Sequence, residues 1–301
     1  MANERVWLIT GASRGLGRAF AEAALAGGHR VVAVARDVRP LGELGEKYPD
    51  HLVPLALDVT DRQAVFDGVE RAAAAFGQLD VVVNNAGGML YGMVEEATEE
   101  QIRAHLDLNF FGAVWVAQAV LPHLRARGGG RLLQVTSMGS GGGMATVGFY
   151  GAGKAALDSV SEALAMEVEG FGVKVTIVQM GGYNTGLFTT GTTTTEPLAQ
   201  YQPLRTEMEA MWGDAVAPEP DTAAPVVMKL AALPNPPRRL TSAAGPSTTS
   251  WRWTGPKRIS TGPGSTSAVS PRADRVPPPL DRRPWPGETP ESGRPRDHVV
   301  S

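Results

Sequence analysis

The chain contains no cysteine, which excludes disulfides, thiolate nucleophiles and Cys-built zinc or iron–sulfur sites together. Histidine is scarce. The five residues (His29, His51, His105, His123 and His298) stand apart, never at the i, i+4 spacing that presents two metal ligands on one helix face. No metal is expected. Positive charge is not in excess either, with 28 Lys and Arg against 31 Asp and Glu for a net −3. Neither a nucleic acid nor an anionic membrane surface is therefore an expected partner. No apolar run approaches the ~20 residues of a membrane span, and the N-terminus enters a strand-like segment without a signal-peptide pattern. These absences leave a cytoplasmic enzyme or binding protein as the expectation. With 43% apolar and 20% charged residues over 301 positions, the chain can bury a sizeable core in one large domain or two small ones.

Composition divides the chain. In residues 241–301, Pro, Gly, Ser and Thr fill 33 of 61 positions, Leu, Ile, Val and Phe only 6, and the segment carries a net +4. Such a segment buries too little apolar area to offset the entropy of ordering, so it reads as a disordered tail with its boundary near Leu240. The change falls in the middle of an expected strand and admits two readings, a genuine tail or a shifted reading frame. Before it, β-branched runs at 6–10, 31–35, 52–57, 79–84, 131–136 and 174–180 alternate with helical stretches at 15–26, 61–76, 99–127 and 150–170. Asp61 and Thr98 stand where N-caps are wanted. Nearly continuous apolar strands separated by helices imply a doubly wound parallel α/β sheet, covered on both faces, over residues 1–240. Six strands are clear and a seventh is doubtful.

The first strand runs through Thr10 into Gly11-Ala12-Ser13-Arg14-Gly15-Leu16-Gly17 and directly into a helix. Glycines here permit a tight turn and a close backbone approach to a pyrophosphate, whose charge the free N–H groups of the helix start stabilise. The spacing is G-x-x-x-G-x-G rather than G-x-G-x-x-G. It resembles the turn of the short-chain dehydrogenase/reductase family, and motifs over residues 1–185 follow that family's order. Asp58-Val59 follows the third strand and Asn84-Asn85-Ala86-Gly87 the fourth; Asn109 lies in the long helix. Ser137 ends the fifth strand, and Tyr150-x-x-x-Lys154 begins 13 residues later.

The resemblance implies a Rossmann-like fold, a homodimer or homotetramer, and hydride exchange between a nicotinamide cofactor and a small-molecule carbonyl or secondary alcohol. It implies a catalytic set of Asn109, Ser137, Tyr150 and Lys154. Tyr150 would be the general acid/base and Ser137 a hydrogen-bond partner of the substrate oxygen. Lys154 would hold the nicotinamide ribose, and Asn109 would place a water behind it. The implied cofactor contacts are Gly11, Ser13, Arg14, Gly15, Leu16, Gly17, Arg36, Asp58, Val59, Asn85, Ala86, Gly87, Tyr150, Lys154, Gly181 and Thr185. A free phenol has a pKa of ~10, so ionisation near neutrality needs a depression of ~3 pH units, about 4 kcal/mol. The Lys154 ammonium, one helical turn away, is the expected cause.

An acidic residue at the end of the second strand would bind a ribose 2′-hydroxyl, whereas Arg accommodates a 2′-phosphate. That strand ends Val34-Ala35-Arg36 and Arg14 lies nearby, favouring NADP(H) over NAD(H); Asp37 argues the other way. Met89, Tyr91, Met93, Met138, Met144, Val147, Phe149, Tyr183 and Phe188 flank the expected site and suggest an apolar pocket for a neutral substrate. Residues 186–217 resemble the family's mobile lid. Two departures stand out. Met180-Gly181 occupies the place of the family's Pro-Gly, and the seventh strand looks truncated after Leu240. Two other readings remain open: a non-catalytic NADP(H)-binding sensor, and a homologue impaired at its C-terminus.

Overall fold

Residues Val6–Thr10 are all buried, because alternate side chains of this first strand enter two different cores. Trp7 and Ile9 pack on one face of the sheet with Phe20, Ala24 and Val227. Val6 and Leu8 pack on the other with Val65, Val69, Val116 and Val120. A strand covered on both faces loses the polar–apolar alternation of a half-exposed one, which is why these strands read as apolar runs.

The computed structural model describes residues 4–212, 217–245 and 248–253. In chain order the elements are β1 (Val6–Thr10), α1 (Gly15–Ala26), β2 (Arg30–Ala35), α2 (Gly42–Lys47), β3 (Leu52–Ala56), α3 (Arg62–Phe76), β4 (Val81–Asn84), β5 (Met89–Tyr91) and α4 (Glu99–Leu106). There follow α5 (Gly112–Ala126), β6 (Gly130–Ser137), α6 (Gly148–Glu167), β7 (Val173–Met180), β8 (Thr192–Thr194), α7 (Gln202–Trp212), α8 (Ala224–Ala232), β9 (Arg239–Gly245) and β10 (Thr248–Trp253). The main sheet has eight strands in the order β10-β9-β7-β6-β4-β1-β2-β3, parallel except for the β9–β10 pair. The doubly wound α/β architecture is as the sequence implies. Asp61 caps α3 by accepting from the Ala64 N–H at 3.0 Å, and Thr98 caps α4 in a capping box with Gln101.

The sheet does not stop at Leu240. Arg239, Leu240 and Thr241 pair with Ile177, Val178 and Gln179 of β7, and β9 continues to Gly245 against β10. The doubtful seventh strand therefore forms and crosses the expected boundary. Ladder hydrogen bonds use the backbone, and small residues such as Ser242 and Ala243 can supply them without an apolar pattern. The remainder of the expected tail, 254–301, lies outside the described residues.

The expected 99–127 helix is continuous over 28 residues, but a π-turn at Asp107–Phe111 joins α4 to α5. By length and apolarity alone this helix could cross a bilayer; here Val116, Val120 and Leu124 are buried against the sheet. Between β7 and α7, β8 pairs with β5 in a small second sheet.

Candidate active site

The connections run outward one way from β1 to β3 and then return to place β4 beside β1, so a crevice opens where the order reverses. Thr10, at the end of β1, fastens its two walls. Its hydroxyl accepts the N–H groups of Asn85 (2.9 Å) and Ala86 (3.0 Å). The Asn85 carboxamide donates back to the Thr10 carbonyl at 3.0 Å. Asn85 thus builds the crevice through its side chain.

Three glycines make the first wall possible. Gly11 has φ +65°, and a Cβ on it would lie 2.9 Å from Ala86 Cα. Gly15 has φ +56° and would bring a Cβ 2.8 Å from Thr185 Cβ; on Gly17 the gap to the Gly11 carbonyl oxygen would be 2.2 Å. Each position needs its glycine. α1 starts without a side-chain cap, so its first N–H groups are open to an anion in the way a pyrophosphate requires. The crevice fits a dinucleotide. Ser13, Arg14 and Leu16 belong to this loop; Thr185 packs against Gly15, Gly87 lies beside Asn109 and Lys154, and Gly181 directly follows β7. Asp58 and Val59 have their own structural partners, since Asp58 accepts from Thr60 N–H (3.0 Å) and hydroxyl (2.8 Å) while Val59 is buried against Gly112.

At the end of β2, Arg36 is exposed. Asp37 is engaged elsewhere: Arg39 donates to it from Nε at 2.9 Å and from a terminal nitrogen at 2.7 Å, and these bonds hold its carboxyl at about 2. Arg14 reaches across to the Thr190 hydroxyl.

The four expected catalytic residues converge at the C-terminal edge of the sheet. Ser137 ends β6, and its hydroxyl accepts from Gly139 N–H at 3.1 Å and neighbours Tyr150 on the first turn of α6. Burial pushes the Tyr150 phenol above its ordinary value, and the neighbouring Ser137 hydroxyl offsets part of that. Lys154, one turn on, is 4% exposed. Its Nζ donates to the Val135 carbonyl at 3.3 Å, and burial lowers its pKa to about 8 against an opposing pull from Asp158. The expected depression of Tyr150 by Lys154 is not what this structure shows; desolvation is the larger effect on both groups. Asn109 sits in the π-turn, wholly buried, and its Oδ1 accepts from Gly88 N–H at 3.3 Å. A Cβ on Gly87 would be 2.9 Å from that oxygen and 3.2 Å from Lys154 Nζ, so Gly87 holds open the space between them.

Two groups were missed by sequence reasoning. Asp158 lies one further turn along the Tyr150–Lys154 face and accepts from Ser140, Gln179 and Arg239. His105 lies one turn before Asn109 and packs edge-on to the Tyr150 ring. The i, i+4 spacing was the available signal in both cases. Of the residues expected to flank an apolar pocket, Met89, Met93 and Tyr183 are buried, whereas Met138, Met144 and Phe188 are exposed. Among the described residues no cluster of His, Asp and Glu could hold a metal.

A family model described as short chain dehydrogenase matches residues 5–196. Oxidoreductase BOA17 of Botryotinia fuckeliana is 41% identical over 60% of this chain and 66% of its own length. The 3-ketodihydrosphingosine reductase of Bacteroides thetaiotaomicron is 39% identical over 60% of this chain and 65% of its own. The chain thus spans just under two thirds of these two relatives. A short-chain dehydrogenase from Streptomyces avermitilis has a similar structure, with a TM-score of 0.75 and 36% identity over 81% of this chain and 90% of that one. A 3-ketoacyl-(acyl-carrier-protein) reductase from Brucella melitensis, solved with NADH, gives a TM-score of 0.65 at 26% identity, covering 76% of this chain and 90% of that one.

Proposed function

The chain belongs to the short-chain dehydrogenase family, and from that premise we propose that it is an NADP(H)-dependent oxidoreductase that interconverts a carbonyl and a secondary alcohol on a neutral, fairly apolar small molecule. The observation that carries the reading is the convergence of Ser137 and Tyr150, with Lys154 and Asn109 buried beside them. A cofactor sensor needs no such proton-handling set. Gly11, Gly15, Gly17 and the α1 start would hold the pyrophosphate, and Lys154 the nicotinamide ribose. When bound, the nicotinamide ring supplies or accepts the hydride.

The protein's own part is proton transfer and orientation. Tyr150 is protonated at neutral pH, because burial raises its pKa, and it donates to the oxygen of a carbonyl substrate as charge develops there. Ser137 stabilises that charge by a hydrogen bond. Asn109 and Lys154 support the proton path behind the phenol. Preference for NADP(H) follows from Arg36 and Arg14, with the Asp37 carboxylate already paired to Arg39 and so withdrawn from a ribose hydroxyl. The two relatives named as 3-keto reductases are consistent with a ketone on an extended carbon chain. A cytoplasmic homo-oligomer completes the proposal.

The test is a direct titration together with one variant. The protein should bind NADPH more tightly than NADH, and Arg36→Ala should narrow the difference by about 1.5–3 kcal/mol, the worth of a charged hydrogen bond. Tyr150→Phe should abolish turnover on a ketone panel while cofactor affinity stays within a few-fold. Tighter binding of NADH, or a tenth of kcat surviving in Tyr150→Phe, would overturn the corresponding part.

A further inference from the structure

The chain between Ser137 and Tyr150 is rich in glycine, with Gly139, Gly141, Gly142 and Gly143 before Met144-Ala145-Thr146-Val147. Packing does not demand the last three glycines. None has a left-handed φ, and a Cβ on Gly141, Gly142 or Gly143 would meet nothing within 4 Å. The residue that does take a left-handed backbone is Thr146, at φ +72° and only 5% exposed. It is the one non-glycine residue with positive φ among the described residues. For a β-branched side chain this is a genuine outlier, since in that region Cβ crowds the following carbonyl oxygen. Such strain persists only where the surroundings over-determine it.

The surroundings are three loops that meet at Gly92, just after β5. The turned backbone aims the Thr146 carbonyl at Gly92 N–H, 2.7 Å away, and Val147 forms a parallel bridge to Gly92. Gly92 is itself packed closely, because a Cβ on it would fall 1.8 Å from Thr195 Oγ1. Thr195 in turn donates its N–H to the Tyr91 carbonyl at 3.0 Å and its hydroxyl to Glu96 at 2.7 Å. On the other side, the Val147 carbonyl accepts Gly151 N–H at 2.9 Å in the turn of α6 that carries Tyr150. Thr146 therefore stands between the glycine-rich run and the start of α6, with its carbonyl fixed to a neighbouring element.

We propose that Thr146 is a positioning residue of the active site, whose left-handed backbone latches the loop between Ser137 and Tyr150 to Gly92 and so sets the wall that receives the ketone. The glycine run cannot fix that wall by packing, so the latch does. The inference rests on the reading of Ser137 and Tyr150 as catalytic residues.

Thr146→Gly, Thr146→Ala and Thr146→Pro in the full chain test it. Glycine is elsewhere the less stable choice of Gly and Ala, but at a left-handed φ the order inverts. Thr146→Gly should therefore melt about 2 °C or more above Thr146→Ala. Proline holds φ at about −65° and cannot make the turn. Thr146→Pro should raise the KM of a ketone about tenfold or more with kcat changed less and NADPH affinity within a few-fold, while Thr146→Gly should keep KM within about twofold. By hydrogen exchange, Gly92 N–H should be protected in the wild type and at least as slow in Thr146→Gly, where the latch carries no strain. If Thr146→Pro does not fold, the melting order and the Gly92 exchange decide. The inference is overturned if Thr146→Ala melts at or above Thr146→Gly, if Thr146→Pro keeps a wild-type KM, or if Gly92 N–H is unprotected in either protein. Equal rises of KM in the Gly and Pro variants overturn it too, since the side chain rather than the backbone would then set the wall. Turnover retained in Tyr150→Phe strikes the underlying reading instead and leaves the melting order and the Gly92 exchange untouched, so the two failures are distinct.

Discussion

Burial moves Tyr150 and Lys154 in opposite directions, each away from its charged form: the phenol is raised and the ammonium lowered to about 8. One cause gives both signs because desolvation penalises whichever form carries charge. The consequence is testable by pH. Lys154 is charged below about pH 8 and loses its proton as pH rises through that value, so its hold on an anionic, hydroxyl-bearing cofactor should weaken there. NADPH titrations from pH 6.5 to 9.5 should show affinity falling above about pH 8, and Lys154→Met should be weak throughout and flat. A wild-type affinity independent of pH over that range would remove Lys154 from the cofactor's contacts. Folding runs the other way. The folded pKa lies below the ordinary 10.5, so this residue makes the fold more stable as pH rises from about 8 toward 10.5.

The segment expected to be a mobile lid is fastened at one end. β8 pairs with β5, and Glu96 lies just before α4 with its side chain fully buried. Glu96 accepts from Met93 N–H (2.8 Å), the Thr195 hydroxyl (2.7 Å) and Leu198 N–H (3.0 Å), and pairs with Arg205 of α7. Burial alone would push this carboxyl up, but these bonds and the Arg205 charge outweigh it and hold the group at about 2. Gly92 allows the close approach, since a Cβ there would fall 1.8 Å from the Thr195 hydroxyl oxygen. Glu96→Gln would leave Arg205 buried with no counter-charge, a change that costs about 3–5 kcal/mol when such pairs are broken. Denaturant unfolding should show a loss of that order, and limited proteolysis should cut faster within 186–212. A loss below about 1 kcal/mol would mean that the pair is no more than a surface bridge. The stretch from Phe188 to Thr190, across which Arg14 reaches, is exposed.

β9 ties the far edge of the sheet to the chemistry. Arg239 bonds Asp158 at 2.5 Å and also pairs with Glu162, while Thr241 donates to Gln179 at 2.8 Å. Gln179 and Ser140 both donate to Asp158 at 2.7 Å, and the Ser140 hydroxyl lies 2.7 Å from the Ser137 carbonyl. A cut after Leu240 removes β10 and most of β9 and exposes a sheet edge, whereas a cut after Trp253 keeps every described strand. The first truncation should lower the melting temperature by several degrees, at ~2–4 °C per kcal/mol for a domain of this size. The second should leave it within a degree or two. Equal melting temperatures for the two would place the end of the cooperative fold near Leu240.

The sequence by itself determined six strands of the main sheet, four helical stretches, the Gly-rich turn and the four residues that converge at the site, because each is written in local spacing: a period, a cap, a glycine where no Cβ fits, a turn of helix between Tyr150 and Lys154. Only the tertiary structure decided the rest. Whether a stretch of small residues such as Thr241–Gly245 joins a sheet depends on the backbone edges that β7 and β10 offer it. Whether Asp37 faces a ribose or an arginine depends on a turn that brings Arg39 back to it. His105 becomes part of the site only because the π-turn and Gly153 bring α4 against α6. The direction in which a pKa moves follows burial, a property of the folded whole that no spacing along the chain encodes.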